Sequence, residues 1–141
     1  MGTILAVDYG LKHIGFAISD PTSSFAFPHS AIENKNFDFV LSYIKDILSE
    51  KEVELIIVGM PFNMDGSKGK IAKEVENFTK KLENSINIPL KLQDERLSSF
   101  AANENLKEAG VGSRKSKIFI HKESARILLE EYIHKKQDFI G

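Results

Sequence analysis

Two apolar runs near the start of the chain, Thr3–Val7 and His13–Ser19, are separated only by Asp8-Tyr9-Gly10-Leu11-Lys12. A parallel strand pair needs a crossover of a dozen or more residues, usually a helix, so these two strands have to run antiparallel. The second run alternates, with Ile14, Phe16 and Ile18 on one side, as a strand with one face on a core does. A sheet that opens this way is not purely parallel. A third strand is expected around Phe25–Ile32, bounded by Pro21 and Pro28, and the second proline confines it to a sheet edge.

The periodicity then changes. Val40, Leu41, Ile44, Ile47 and Leu48 recur at helical spacing between Phe37 and Leu48, and Val53–Val58 is a near-continuous apolar run of the kind a doubly covered strand shows. Ile71, Val75, Phe78 and Leu82 mark a second amphipathic helix, followed by a strand over Ile88–Gln93 with Leu90 and Leu92 on one face. Ser98–Ala109, closed by Gly110, reads as a third helix, Val111–Lys117 as a Gly/Ser/basic loop, and Ala125, Leu128, Leu129, Tyr132 and Ile133 define a last helix. The expected architecture is α/β: a mixed five-stranded sheet, three antiparallel strands and then two parallel, with helices on both faces. At 141 residues, 42% hydrophobic and 28% charged, the chain has the size and composition of one globular domain.

The absence of Cys excludes disulfide scaffolds, thiolate nucleophiles, Cys-type zinc sites and iron–sulfur clusters, so any metal has to sit on Asp, Glu, His or backbone oxygen. The N-terminus carries no basic n-region and no apolar stretch approaches a membrane span, from which a cytoplasmic protein without membrane partners is expected. Net charge is −1, but the balance is uneven, with 8 basic against 5 acidic groups in residues 107–141. Lys107, Arg114, Lys115, Lys117, Lys122 and Arg126 form a patch that a phosphate backbone can use, although a solvated loop and helix face carries similar charge.

Four constellations carry candidate chemistry. In Asp8-x-Gly10-x-Lys12-x-x-Gly15, an acid ends a strand expected to be buried, where a carboxylate has to be paired or metal-bound. Gly10 lets the backbone turn and admits a phosphate or metal close to the main chain; taken alone, the motif also fits an ordinary turn. Gly59-Met60-Pro61-Phe62-Asn63-Met64-Asp65-Gly66 follows a strand and mixes apolar with polar residues, as binding loops and some plain loops do. Gln93-Asp94-Glu95-Arg96 ends another strand. Its adjacent acids point to opposite faces, so only one can share a pocket with Asp8, and a helix-start cluster capped by Asp94 or Ser98 is the alternative. Finally, His121 at the start of the last helix is either a ligand or a part-buried structural histidine. His13, His29 and His134 have no partner at metal-ligand spacing, and neither a Gly-x-Ser-x-Gly elbow nor a Cys nucleophile is present. Acids ending two strands, with a potential ligand on a late helix, suit divalent cations that clamp a scissile phosphate.

In combination these residues resemble the YqgF/RuvX family, bacterial RNase H-like nucleases described as Holliday junction resolvases and as pre-16S rRNA processing nucleases. The resemblance spans about residues 3–134 and is carried by Asp8–Gly15, Val58–Gly66, Asp94–Ser98 and Ser124–Glu130. It implies an RNase H-like fold and phosphodiester hydrolysis with Mg²⁺ or Mn²⁺, Asp8 and Glu95 falling on the family's catalytic acids. Where the family usually has Asp at the start of the last helix, this chain has His121. Neutral imidazole binds Mn²⁺, so His121 is expected to remain the third ligand and catalytic residue, with Glu123 as a substitute and with weaker Mg²⁺ binding. The implied reaction is in-line attack of an activated water on phosphorus, with Asp8 shared by two ions roughly 3.5–4 Å apart. Lys12, Asn63, Arg96, Arg114, Lys115 and Lys117 are the expected substrate-binding residues, and Phe62 and Met64 further contacts.

The expected partner is nucleic acid, namely pre-16S rRNA or branched DNA, bound by a monomer or homodimer. A resolvase needs a dimer presenting two sites to symmetric strands, whereas RNA binding depends on single-strand or 2′-OH contacts. Two other readings are a fragment of an actin-like ATPase or sugar kinase, whose superfamily uses a similar Asp-x-Gly-x-Lys signature, and a nuclease-like binding module that has lost catalysis.

Overall fold

The opening hairpin forms as its spacing requires. In the computed structural model of the chain, β1 (Thr3–Asp8) and β2 (His13–Ser19) pair antiparallel, with Leu5 opposite Ile18 and Asp8 opposite Gly15. The structure describes residues 2–61, 65–94 and 114–140, the side chains of the last helix being described from 118 to 135. β3 (Ala26–Glu33) joins the far side of β2, also antiparallel, and its register shifts beside Ala17, which faces Pro28. The proline thus sits on the outermost strand and at the irregularity, where a missing N–H costs least.

β4 (Val53–Met60) and β5 (Leu90–Asp94) extend the other side of β1 in parallel, giving the order β3-β2-β1-β4-β5. Two helices supply the crossovers. α1 (Phe37–Glu50) starts at Asn36, whose Oδ1 accepts the Phe39 N–H at 2.8 Å, and α2 (Lys70–Glu83) starts after Gly69. The mixed sheet of three antiparallel and two parallel strands is therefore present as expected.

The strand alternation sorts side chains into two cores. Leu5, Val7, Ile14, Phe16, Ile56 and Val58 face α1 and α2, against Val40, Ile44, Val75, Phe78 and Leu82. Ile4, Ala6, Ala17 and Ile57 face the other way, against Ala125, Leu128, Leu129 and Ile133 of α3 (Arg114–Ile140). Having both faces covered explains why the Val53–Val58 run is apolar at successive positions. Each fully buried Leu or Ile here contributes about 1.5–3 kcal/mol relative to exposure.

One expectation is corrected. Arg114–Lys117, read as the end of a loop, belong to α3. Arg114-Lys115-Ser116-Lys117 contains no apolar residue to reveal a period, yet Arg and Lys are good helix formers and the apolar residues that dock the helix lie further along it. The helix expected over Ser98–Ala109 lies outside the described residues. Among the described residues no helix is long and apolar enough to cross a membrane.

Candidate active site

The site is built from the end of β1 outward. Ile4 and Ala6 face α3, so Asp8, two residues further along the same strand, continues that face at the strand's last position. It is 3% exposed. Tyr9, the next residue, packs on Phe78 of α2 with ring centroids 4.7 Å apart, anchoring the chain just after the carboxylate to the opposite layer.

The turn that follows is held by Asn34, a residue that the sequence reading passed over. Its Nδ2 donates to the Gly10 carbonyl at 2.9 Å and its backbone N–H donates to the Lys12 carbonyl at 2.8 Å. A Cβ on Gly10 would lie 2.5 Å from the His13 carbonyl oxygen, so glycine there lets the turn close. Lys12 is left exposed at its tip, where an ammonium can meet a phosphate.

Gly15 decides how α3 joins the site. It pairs with Asp8 across the hairpin, and a Cβ added to it would lie 2.1 Å from the backbone carbonyl oxygen of His121. Only a residue with no side chain admits the helix this close, so His121 comes to rest beside the strand position that faces Asp8. The His121 ring stacks on His13, with centroids 4.7 Å apart and planes at 28°, and its Nδ1 is buried. The pairing of His13 with His121 escaped the sequence reading, because no spacing rule links residues so distant in the chain.

On β5, Lys91 and Gln93 face α3: the Lys91 ammonium lies 5.9 Å from the Tyr132 ring centroid, and Gln93 Nε2 donates to the Leu128 carbonyl at 3.1 Å. Asp94 alternates to the other face, opposite Met60 of β4. Glu95, Arg96 and Asn63, with Phe62 and Met64, lie outside the described residues, as do the side chains of Arg114, Lys115 and Lys117.

Two residues of the late charged segment have other employment. Arg126 donates through Nε to both Glu123 oxygens at 2.9 Å and also pairs with Glu130, and the two carboxylates hold its guanidinium above the usual Arg range. Glu123 is thus committed to Arg126 and makes a poor substitute for His121 as a ligand. Among the described residues no three His, Asp or Glu side chains form a metal site. Asp8 brings a carboxylate oxygen and His121 an imidazole nitrogen to this end of the sheet, donor types that suit Mn²⁺ better than Mg²⁺.

Comparison with known proteins gives the family. The family model described as "RuvX: Holliday junction resolvase" matches residues 2–135. The chain belongs to the RuvX family. A relative from Halothermothrix orenii is 41% identical over 138 residues, covering 98% of this chain and 99% of its own, and one from Maridesulfovibrio salexigens is 39% identical over 130 residues, covering 92% and 96%. Both carry the name "Putative pre-16S rRNA nuclease". Among solved structures, T. thermophilus RuvC in complex with a Holliday junction substrate aligns with a TM-score of 0.59 at 12% identity, over 97% of this chain and 96% of that one. The fowlpox virus Holliday junction resolvase aligns at 0.51 and 14% identity, over 94% and 99%. These likenesses identify the fold as RNase H-like, as expected for a RuvX-family chain.

Proposed function

We propose that this chain is a metal-dependent nuclease that hydrolyses phosphodiester bonds and processes the 5′ end of pre-16S rRNA. The observation that carries the reading is the meeting of Asp8 and α3 across Gly15, which sets a buried carboxylate at the end of β1 beside a helix bearing an imidazole. Membership of a family of nucleases, and the names of relatives at 39–41% identity, support the same reading.

Asp8, Glu95 and His121 are the proposed ligands and catalytic residues. Lys91 and Gln93 face α3 and Asp94 alternates to the other side, which speaks against Asp94 as the second acid. Mg²⁺ or Mn²⁺, as one ion or a pair, held by these residues would supply neutralisation of charge on the phosphate and activation of the attacking water. The protein's own share is positional. Pairing to Gly15 and the Tyr9–Phe78 contact fix the backbone that carries the carboxylate, and Asn34 fixes the turn that presents Lys12 to a neighbouring phosphate. Asn63, Arg96, Arg114, Lys115 and Lys117 are proposed to hold the remaining backbone without reading sequence.

The deciding experiment incubates the native chain and Asp8→Asn with a 5′-extended 16S precursor RNA and with a four-way DNA junction, each with Mg²⁺ or Mn²⁺. Trimming of the RNA that Asp8→Asn abolishes is the expected result. Symmetric cuts in the junction alone would instead favour the resolvase reading that the family description suggests. RNA binding with no cleavage of either substrate would make the chain a binding module.

A further inference from the structure

We infer that Phe119, near the start of α3, is a stacking platform for an unpaired nucleobase beside the catalytic centre, and that it makes the site selective for single-stranded over duplex RNA. The inference rests on the nuclease reading above and deepens it, naming the form of nucleic acid that the site accepts.

The direction of α3 sets where Phe119 lies. His121 rests beside Gly15 near the start of β2, and the helix then runs along that strand towards Ser19, since Ile133 lines one cavity with Ala26, the partner of Ser19. The residues before His121 therefore continue past the start of β2, at the end of the sheet where Asp8 closes β1. Phe119 precedes His121 by two residues, about 3 Å along the helix axis. It is 56% exposed, whereas Ala125, Leu128, Leu129 and Ile133 of the same helix are buried in the core.

A single exposed Phe is common on protein surfaces; the charge around this one sets it apart. Residues three and four apart share a helix face, so Lys115, Phe119, Lys122 and Arg126 occupy successive positions of one stripe. Arg126 is paired with Glu123 and Glu130, which leaves the positive charge of the stripe at the two lysine positions on either side of Phe119. Exposed Lys12 lies at the same end of the sheet. This arrangement complements a nucleotide: ammonium groups meet phosphate oxygens and the ring meets the face of the base. An apolar protein surface laid on Phe119 would instead desolvate the ammonium groups without offering them partners. In a duplex both faces of a base are covered by its neighbours, so only an unpaired base can turn out onto a side chain. Every base has a π-face, and the preference is therefore for strandedness, not for sequence.

The chain contains no Trp, so Phe119→Trp introduces a single fluorophore at the proposed platform. The full metal-free chain, native and as Phe119→Trp, Phe119→Ala and Phe119→Leu, is titrated with a short unstructured RNA strand and with the blunt duplex of the same sequence, after melting curves confirm that each protein is folded. The single strand is expected to quench the fluorescence of Phe119→Trp, and the duplex to leave it near the unbound level. In anisotropy titrations with labelled RNA, Phe119→Ala and Phe119→Leu should bind the single strand about tenfold more weakly than the native chain, Phe119→Trp should bind it as tightly, and all four should bind the duplex alike. If Phe119→Ala is unfolded, Phe119→Leu carries the same expectation, since it keeps an apolar side chain without a flat face. Native affinity for the single strand in Phe119→Leu would overturn the inference, as would equal quenching by the duplex. A native dimer in sedimentation that Phe119→Leu dissociates would also overturn it, because a second copy would then cover the ring. Any of these results alongside RNA cleavage that Asp8→Asn abolishes leaves the nuclease reading standing. A native chain that neither binds RNA nor cleaves it with Mg²⁺ or Mn²⁺ removes that reading, and the inference with it.

Discussion

At the scale of single residues, Gly15 and Asp20 show how local chemistry sets what the neighbouring structure can do. The group that a Gly15 Cβ would strike is a backbone carbonyl, so no side-chain rotation relieves the overlap and α3 has to move off β2. Gly15→Ala is expected to cost roughly 1–3 kcal/mol, the range for overpacking a well-filled interior, read as a lowered urea midpoint, and to reduce cleavage by displacing His121. Asp20 acts on the turn before β3. Its carboxylate accepts the Thr22 hydroxyl and the backbone N–H groups of Phe25 at 2.7 Å, Ser24 at 2.8 Å and Thr22 at 3.2 Å. These bonds, led by the Thr22 hydroxyl, hold it at about 2, below the ordinary 3.8. A carboxylate whose folded value is depressed adds stability above its unfolded value and loses it as pH falls through the folded one. Native protein should therefore lose melting temperature between pH 4 and pH 2 more steeply than Asp20→Asn, and parallel curves would show that the turn contributes nothing.

The elements divide into those whose period exposes them and those that borrow stability from their neighbours. The β1–β2 hairpin, α1, α2 and β4 were legible because their apolar residues repeat at 2 or 3.6 and nearly all of them land in a core, although Ile71 of α2 stays exposed. β4 ran on through Gly59 and Met60 beyond its expected end, since its last pairs are supplied by Gln93 and Asp94 of β5, which sequence periodicity does not reveal. The start of α3 was missed for the opposite reason: Arg114–Lys117 carry no apolar residue in the sequence pattern and are helical as the beginning of an element docked from His121 onward. A cap, by contrast, is legible and separable. Asn36 alone supplies the side-chain acceptor at the start of α1, so Asn36→Ala is expected to cost about 0.5–2 kcal/mol without altering cleavage, as α1 lies on the face opposite α3. Equilibrium unfolding followed by circular dichroism measures the first part and an RNA cleavage assay the second.

Over the whole molecule, the two cores lie on opposite faces of one sheet, and the candidate site lies at the edge where they are joined. Asp8 ends a strand common to both, Tyr9 reaches into the α1/α2 layer, and His121 belongs to the α3 layer. This convergence was only partly readable. Asp8 and His121 could be named as candidates from their chemistry, whereas the His13 stack and the Asn34 clasp arise from β2 being laid between β3 and α3, a long-range arrangement that no local spacing encodes. Because its proposed ligands come from separate elements, the site exists only when sheet and helix are assembled, and an ion bound there has no comparable site in the unfolded chain. Binding then stabilises the fold by mass action, by about 2.7 kcal/mol at a hundredfold excess over Kd, or roughly 5–10 °C for a chain of this size. Mn²⁺ should therefore raise the melting temperature of the native protein by that amount, and Mg²⁺ by less at equal concentration, because one proposed donor is an imidazole nitrogen. Asp8→Asn should abolish the Mn²⁺ shift while still unfolding cooperatively. An equal shift in Asp8→Asn would mean that the ion stabilises the protein from another place, and that the carboxylate at the end of β1 is not its ligand.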